Sequence, residues 1–75
     1  MQPYKNRAGK SGVLAYEIRP YSIVVRFVSG EDYEYTYQSA GRDAVEAMKR
    51  LATAGRGLST YISQQRPLYA RKRAA

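Results

Sequence analysis

The chain has no cysteine, no histidine and no tryptophan, and phenylalanine occurs once in its 75 residues. Without cysteine there is no disulfide framework and no thiolate metal site to supplement a small core. Without histidine the usual general base and the commonest metal ligand are both missing, which argues against zinc and against a histidine-based triad. Tyrosine, lysine and carboxylates remain as candidate catalytic groups, but no spacing links them. The expectation is therefore a protein that is not an enzyme, with no catalytic residues, no cofactor and no metal. No run of about 18 apolar residues appears, so no membrane span is expected. The opening stretch "MQPYKNRAGKSG" lacks the apolar segment of a secretory signal, and the expected compartment is the cytoplasm.

Acidic residues are also scarce, six against thirteen Lys and Arg, for a net charge of +7. Their placement is uneven. Residues 1–16 carry Lys5, Arg7 and Lys10 with no acid, and residues 47–75 carry seven cations with no acid. All six carboxylates fall between Glu17 and Glu46, against only Arg19, Arg26 and Arg42. An acidic middle with basic ends points to a polyanionic partner, while a solubilising charge on a small domain is the plainer reading.

Seventy-five residues make a single small domain with one core. Residues 1–12 are polar and without periodicity, and are expected as a flexible basic arm. "VLAYEIR", "SIVVRFV" and "YEYTY", separated by Pro20-Tyr21 and by "SGED", read as three strands of an antiparallel meander. From residue 39 the period becomes helical. Val45, Met48 and Ala52 stand at i, i+3 and i+7, with Ser39 or Gly41 at the start and Gly55 at the stop. A shorter helix carries Leu58, Tyr61, Ile62 and Gln65 and ends before Pro67. Residues 66–75 are expected as a basic mobile tail. The fold class is α+β, a three-stranded antiparallel meander packed on one face by two helices (β-β-β-α-α), with the domain spanning residues 13–65.

"EDYEYTY" sets Tyr33, Tyr35 and Tyr37 on one side of a strand, either as core or as an open stacking shelf. Sorting the strands by face decides for the core. Leu14, Tyr16, Ile18, Ile23, Val25, Phe27 and the three tyrosines form a set without charge. The opposite set holds Glu17, Arg19, Arg26, Asp32 and Glu34. A two-residue turn at Pro20-Tyr21 agrees with this sorting. The second turn agrees only if it spans Ser29-Gly30-Glu31 or contains a bulge, pairing Phe27 with Tyr33 and Val25 with Tyr35. Arg26 is expected in a surface ion-pair cluster between Glu17 and Glu34. Eight of the nine aromatic residues are tyrosine, so hydroxyls are expected at the core's rim, wet or hydrogen-bonded.

"VVRFVSGEDYEYTY" followed by "AVEAMKRLATAGRGLSTYI" resembles the KTSC domain. This short module occurs at the C-terminus of some lysyl-tRNA synthetases and also as a stand-alone bacterial protein. The residues that carry the resemblance are Phe27, Ser29-Gly30, Tyr33 and Tyr35, the stripe from Val45 to Leu51, Gly55 or Gly57, and Tyr61-Ile62. It covers about residues 11–65. The company of a tRNA synthetase implies RNA binding by analogy.

Two stretches are candidate contact sites. Gly55-Arg56-Gly57 precedes a helix N-terminus, where free amides, glycine and a guanidinium suit an anion; a simple helix-to-helix link is the alternative. Arg66, Tyr69, Arg71, Lys72 and Arg73 suit phosphate contact and stacking, or else form a solubilising end. With Arg50 and Arg56 they make up the expected nucleic-acid contacts. The expected function is a small non-catalytic binding module for RNA or another polyanion. The alternative is a protein-interaction or homodimerisation module using Val13, Val24 and Val28 on the second sheet face.

Overall fold

A computed structural model describes residues 1–7, 9 and 11–74. Ala8 and Lys10 of the expected arm, and Ala75 of the expected tail, lie outside the described residues. The strands are β1 (Gln2–Pro3), β2 (Val13–Arg19), β3 (Ser22–Phe27), β4 (Glu31–Thr36) and β5 (Arg71–Ala74). They form one antiparallel sheet in chain order. The sheet thus has five strands where three were expected. The additional two come from the stretches read as a flexible arm and a mobile tail. Neither has an apolar alternation to betray it, since every residue of β1 and of β5 is exposed. Pro3 is tolerated because an edge strand needs fewer ladder donors.

Register follows from how each turn is built. Arg19 lies opposite Ser22 across the two-residue turn, which sets Ile18 against Ile23 and Tyr16 against Val25 as the sequence implied. A shift between Val13 and Ala15 then places Val13, not Leu14, opposite Phe27. An extra residue here moves the side chains that precede it in the strand to the other face. Val13 is consequently buried and Leu14 is 53% exposed. The next connection has the expected three residues but consists of Val28-Ser29-Gly30, one position earlier than Ser29-Gly30-Glu31. Arg26 pairs with Asp32, Val25 with Tyr33 and Ile23 with Tyr35. A slip of two residues keeps each side chain on its face, so Tyr35 still points inward and is 2% exposed.

Tyr37 leaves the strand. The Thr36 hydroxyl accepts from the Ser39 amide at 2.9 Å, and the Ser39 hydroxyl accepts from the Thr36 amide at 3.0 Å. This reciprocal cap starts a single turn, α1 (Tyr37–Ala40), where the alternation had implied more strand. Gly41 adopts φ 91° and leads into α2 (Arg42–Ala54), whose buried residues are Val45, Met48 and Ala52. Gly55 ends α2 in the left-handed region, its amide donating to the Leu51 and Ala52 carbonyls. α3 (Leu58–Gln65) buries Leu58 and packs Tyr61 and Ile62 against the core.

The core joins Ile23, Val25 and Tyr35 of the sheet to the α2 stripe and Leu58, and adds Val13 and Tyr4. Tyr4 is the feature least visible in the sequence. Its ring is buried, and its hydroxyl accepts from the Leu58 amide at the start of α3, 3.3 Å away. No described helix is long and apolar enough to cross a membrane.

Candidate nucleic-acid interface

The junction between α2 and α3 is assembled from both halves of the chain. The Arg7 amide donates to the Gly55 carbonyl at 2.6 Å, and Arg7 Nε donates to the Ala54 carbonyl at 3.0 Å. Lys5 packs so closely that a Cβ on Gly55 would lie 2.7 Å from its own Cβ. Cations are favoured here by the negative end of the α2 dipole and by the unpaired carbonyls of its last turn. Arg56 follows directly in the link, and Arg50 borders Ala54 on the exposed side of the helix. Among the described residues, Lys5, Arg7, Arg50 and Arg56 form no ion pair with a carboxylate.

The backbone amides of this link are largely engaged. Those of Gly55 and Arg56 donate to the Leu51 carbonyl, and that of Leu58 to the Tyr4 hydroxyl. Gly55 and Gly57 serve as the C-cap of α2 and the N-cap of α3, at φ 78° and 80°. The expected anion cradle at Gly55-Arg56-Gly57 therefore contributes side-chain charge more than free amides. Lys5 and Arg7 were not among the expected contacts. The acid-free first sixteen residues were the one signal for them, and that signal does not say where an irregular segment docks.

The tail cations stand differently. β5 lies against β4, with Arg71 opposite Glu34, Lys72 opposite Tyr33 and Arg73 opposite Asp32. Arg71 Nε is 3.8 Å from Glu34, and Lys72 Nζ is 3.2 Å from Glu31. Lys72 also sits over the Tyr33 ring at 5.5 Å. The Glu31 carboxylate, and then the Tyr33 hydroxyl, hold the Lys72 ammonium above its usual range. Tyr69 sets its ring at right angles to Tyr33, centroids 4.8 Å apart. Arg66 ends α3 with φ 48° and is exposed. Much of the tail's charge is thus matched by β4, the most acidic strand.

The second sheet face differs from expectation in two respects. Arg26 makes a two-pronged bond with Asp32, at 2.8 and 3.0 Å, and not with Glu17 or Glu34. Asp32 is its direct cross-strand neighbour, and a planar guanidinium matches a carboxylate facing it. This bond holds the Asp32 carboxyl below its usual range. Arg19 instead takes Glu17 at 2.6 Å and Glu34 at 3.2 Å, and its hydrogen bond lowers Glu17 in the same way. The apolar patch expected from Val13, Val24 and Val28 is not formed. The bulge turns Val13 into the core, Val24 is buried, and only Val28 stays exposed. Four arginines and three carboxylates line the depression over Val24.

The motif residues form the wall between sheet and helices. Tyr33 meets Phe27 edge to face at 5.2 Å and stacks beside Tyr35 at 6.4 Å. Burial pushes the Tyr35 hydroxyl up to about 12, with Tyr33 and Tyr69 adding to the shift. Gly30 turns the β3–β4 connection at φ 93°. Comparison with protein-family models, with curated proteins and with solved structures gives no match.

Proposed function

We propose that the chain is a small, non-catalytic RNA-binding module that contacts phosphate through its basic α2–α3 junction. The observation that carries this reading is the docking of Lys5 and Arg7 at Gly55, next to Arg56 and one helical turn beyond Arg50, with none of the four in an ion pair among the described residues. Cations left unpaired by the fold keep their attraction for an external polyanion, whereas those matched by Glu31 and Glu34 must exchange one partner for another. Arg66, Tyr69, Arg71, Lys72 and Arg73 act as a second contact region. Membership of the KTSC family is part of the same proposal and rests on the residues that carry the resemblance.

The test is a titration of labelled single-stranded RNA at several salt concentrations. Affinity falls linearly on a log–log plot, with a slope of about −0.7 for each phosphate contacted. Replacing Lys5, Arg7 and Arg56 with alanine lowers the affinity and shallows the slope by about 2. The Arg71, Lys72, Arg73 triple-alanine variant has a smaller effect. Absent or salt-independent binding to RNA would overturn the proposal.

A further inference from the structure

β5 is an edge strand whose one partner in the sheet is β4. Every residue of it is exposed, and among the described residues none beyond Ile62 belongs to the core or packs against it. Besides the backbone ladder, its ties are few. The Ala70 amide donates to the Glu34 carbonyl at 2.7 Å, Tyr69 meets Tyr33 edge-on, and Arg71 and Lys72 pair with Glu34 and Glu31. The side chains of these two cations are 75% and 44% exposed. Exposed pairs of this kind hold weakly and are screened by salt. A segment with few buried apolar contacts is among the first to open from a fold.

The contacts that hold the strand are also those its cations would give up for phosphate. Glu31, Asp32 and Glu34 set half of the chain's six carboxylates in one row, with Arg73, Lys72 and Arg71 paired along it. Asp32 is already bonded twice by Arg26, and neither Arg73 nor Arg66 forms an ion pair among the described residues. In the sheet the cations of β5 are also divided. Lys72 lies over Tyr33 on the helix side, whereas Arg71 and Arg73 border the depression over Val24 on the other. The division follows from strand alternation, and one phosphate chain cannot collect all three cations while it persists. Off the sheet they can turn to the same chain. We infer that β5 is a releasable inhibitory strand: the acids of β4 hold its cations in the free protein, and single-stranded RNA draws it off the sheet. Arg66 and Arg73 make the first phosphate contacts, and Lys72 and Arg71 follow by leaving Glu31 and Glu34. The inference rests on the RNA reading and gives its second contact region a regulation. Affinity is then net of the cost of release, which the β4 carboxylates set.

Two measurements test this: the affinity for labelled single-stranded RNA by fluorescence anisotropy, and amide hydrogen exchange by NMR with and without that RNA. Glu31→Gln removes the partner of Lys72 and leaves Glu34 with Arg19 and Ser22. It raises the affinity about 2- to 5-fold. Asp43→Asn adds the same charge at a carboxylate in the first turn of α2 that forms no ion pair among the described residues, and it gains less. In the Arg71, Lys72, Arg73 triple-alanine background the gain from Glu31→Gln disappears. Bound RNA removes the exchange protection of the Ala70 amide and of β5, while the amides of β3 stay protected. Three results would each overturn the inference and leave the RNA reading standing. These are persistent protection of Ala70 and β5 in the complex, a gain no larger than that of Asp43→Asn, and a gain that survives the triple-alanine background. Failure of both wild type and Glu31→Gln to bind RNA removes the inference and the RNA reading together.

Discussion

Tyr35 joins the sheet to the helices and carries a titratable group into the interior. Truncation to alanine removes a ring that is 2% exposed and should cost about 3–5 kcal/mol, in line with other buried aromatic residues. A chemical denaturation curve measures this, and a loss below 1 kcal/mol would mean that the ring is not core. Its hydroxyl also makes stability depend on alkaline pH. Unfolding lowers the Tyr35 pKa from about 12 to the ordinary 10, so between those values the unfolded chain binds fewer protons. Stability therefore falls as pH rises through that window. Tyr35→Phe should flatten this part of the pH profile relative to wild type. The inward face of Tyr35 was legible from strand alternation and charge sorting. Its partner Ile23 was not, because the position of the turn sets register and a slip of two residues leaves the apolar pattern unchanged.

Elements that bury one face of a regular pattern could be read from the sequence: β2, β3, β4, α2 and α3. Those held by other means could not. β5 is exposed throughout and is held by backbone pairing and by ion pairs to β4. α1 depends on a reciprocal Thr36–Ser39 cap. The N-terminal segment is fixed by Tyr4 and by Arg7 reaching a carbonyl 47 residues away. Arg50 and Arg56 of the candidate site were visible as charge. The seating of Lys5 and Arg7 beside Arg56 depends on that distant contact, which no local pattern encodes. Gly55 is the position where the contact can be tested. Gly55→Ala faces both a φ of +78° and the Lys5 Cβ at 2.7 Å, whereas Gly30→Ala faces a φ of +93° with open space around it. The first should cost more than the second, which carries only the roughly 1 kcal/mol of backbone strain. Thermal melts of the two variants compare them, and equal losses would mean that Lys5 is not seated against the junction.

Across the whole molecule, net charge and local pairing act in the same direction in acid. Glu17, Asp32 and Glu46 are held below their usual range, chiefly by hydrogen bonds from Arg19, from Arg26 and from the Tyr37 hydroxyl respectively. A depressed folded-state pKa stabilises the fold fully above the ordinary carboxylate values near pH 4. That contribution is lost as pH falls through them and through the lower folded values. The same protonation leaves thirteen Lys and Arg without opposing charge, and their mutual repulsion adds to the loss. Melting temperature should hold between pH 7 and 5 and drop steeply below 4, with added salt restoring part of it. A flat acid profile would show that these pairs contribute nothing to stability.

The agreement of strand order with chain order has a consequence for self-association. Because the sheet runs β1 to β5 without a crossover, its outermost ribbons are the two ends of the chain, and the strands that carry the core lie between them. Growth of the sheet by a neighbouring molecule would begin beside one of those ends. Gln2–Pro3 is short and contains a residue without an amide proton, while Arg71–Lys72–Arg73 would meet its own likeness in another copy. The same sparse, charged composition that hid these strands from the hydrophobic pattern makes them poor templates for fibrils.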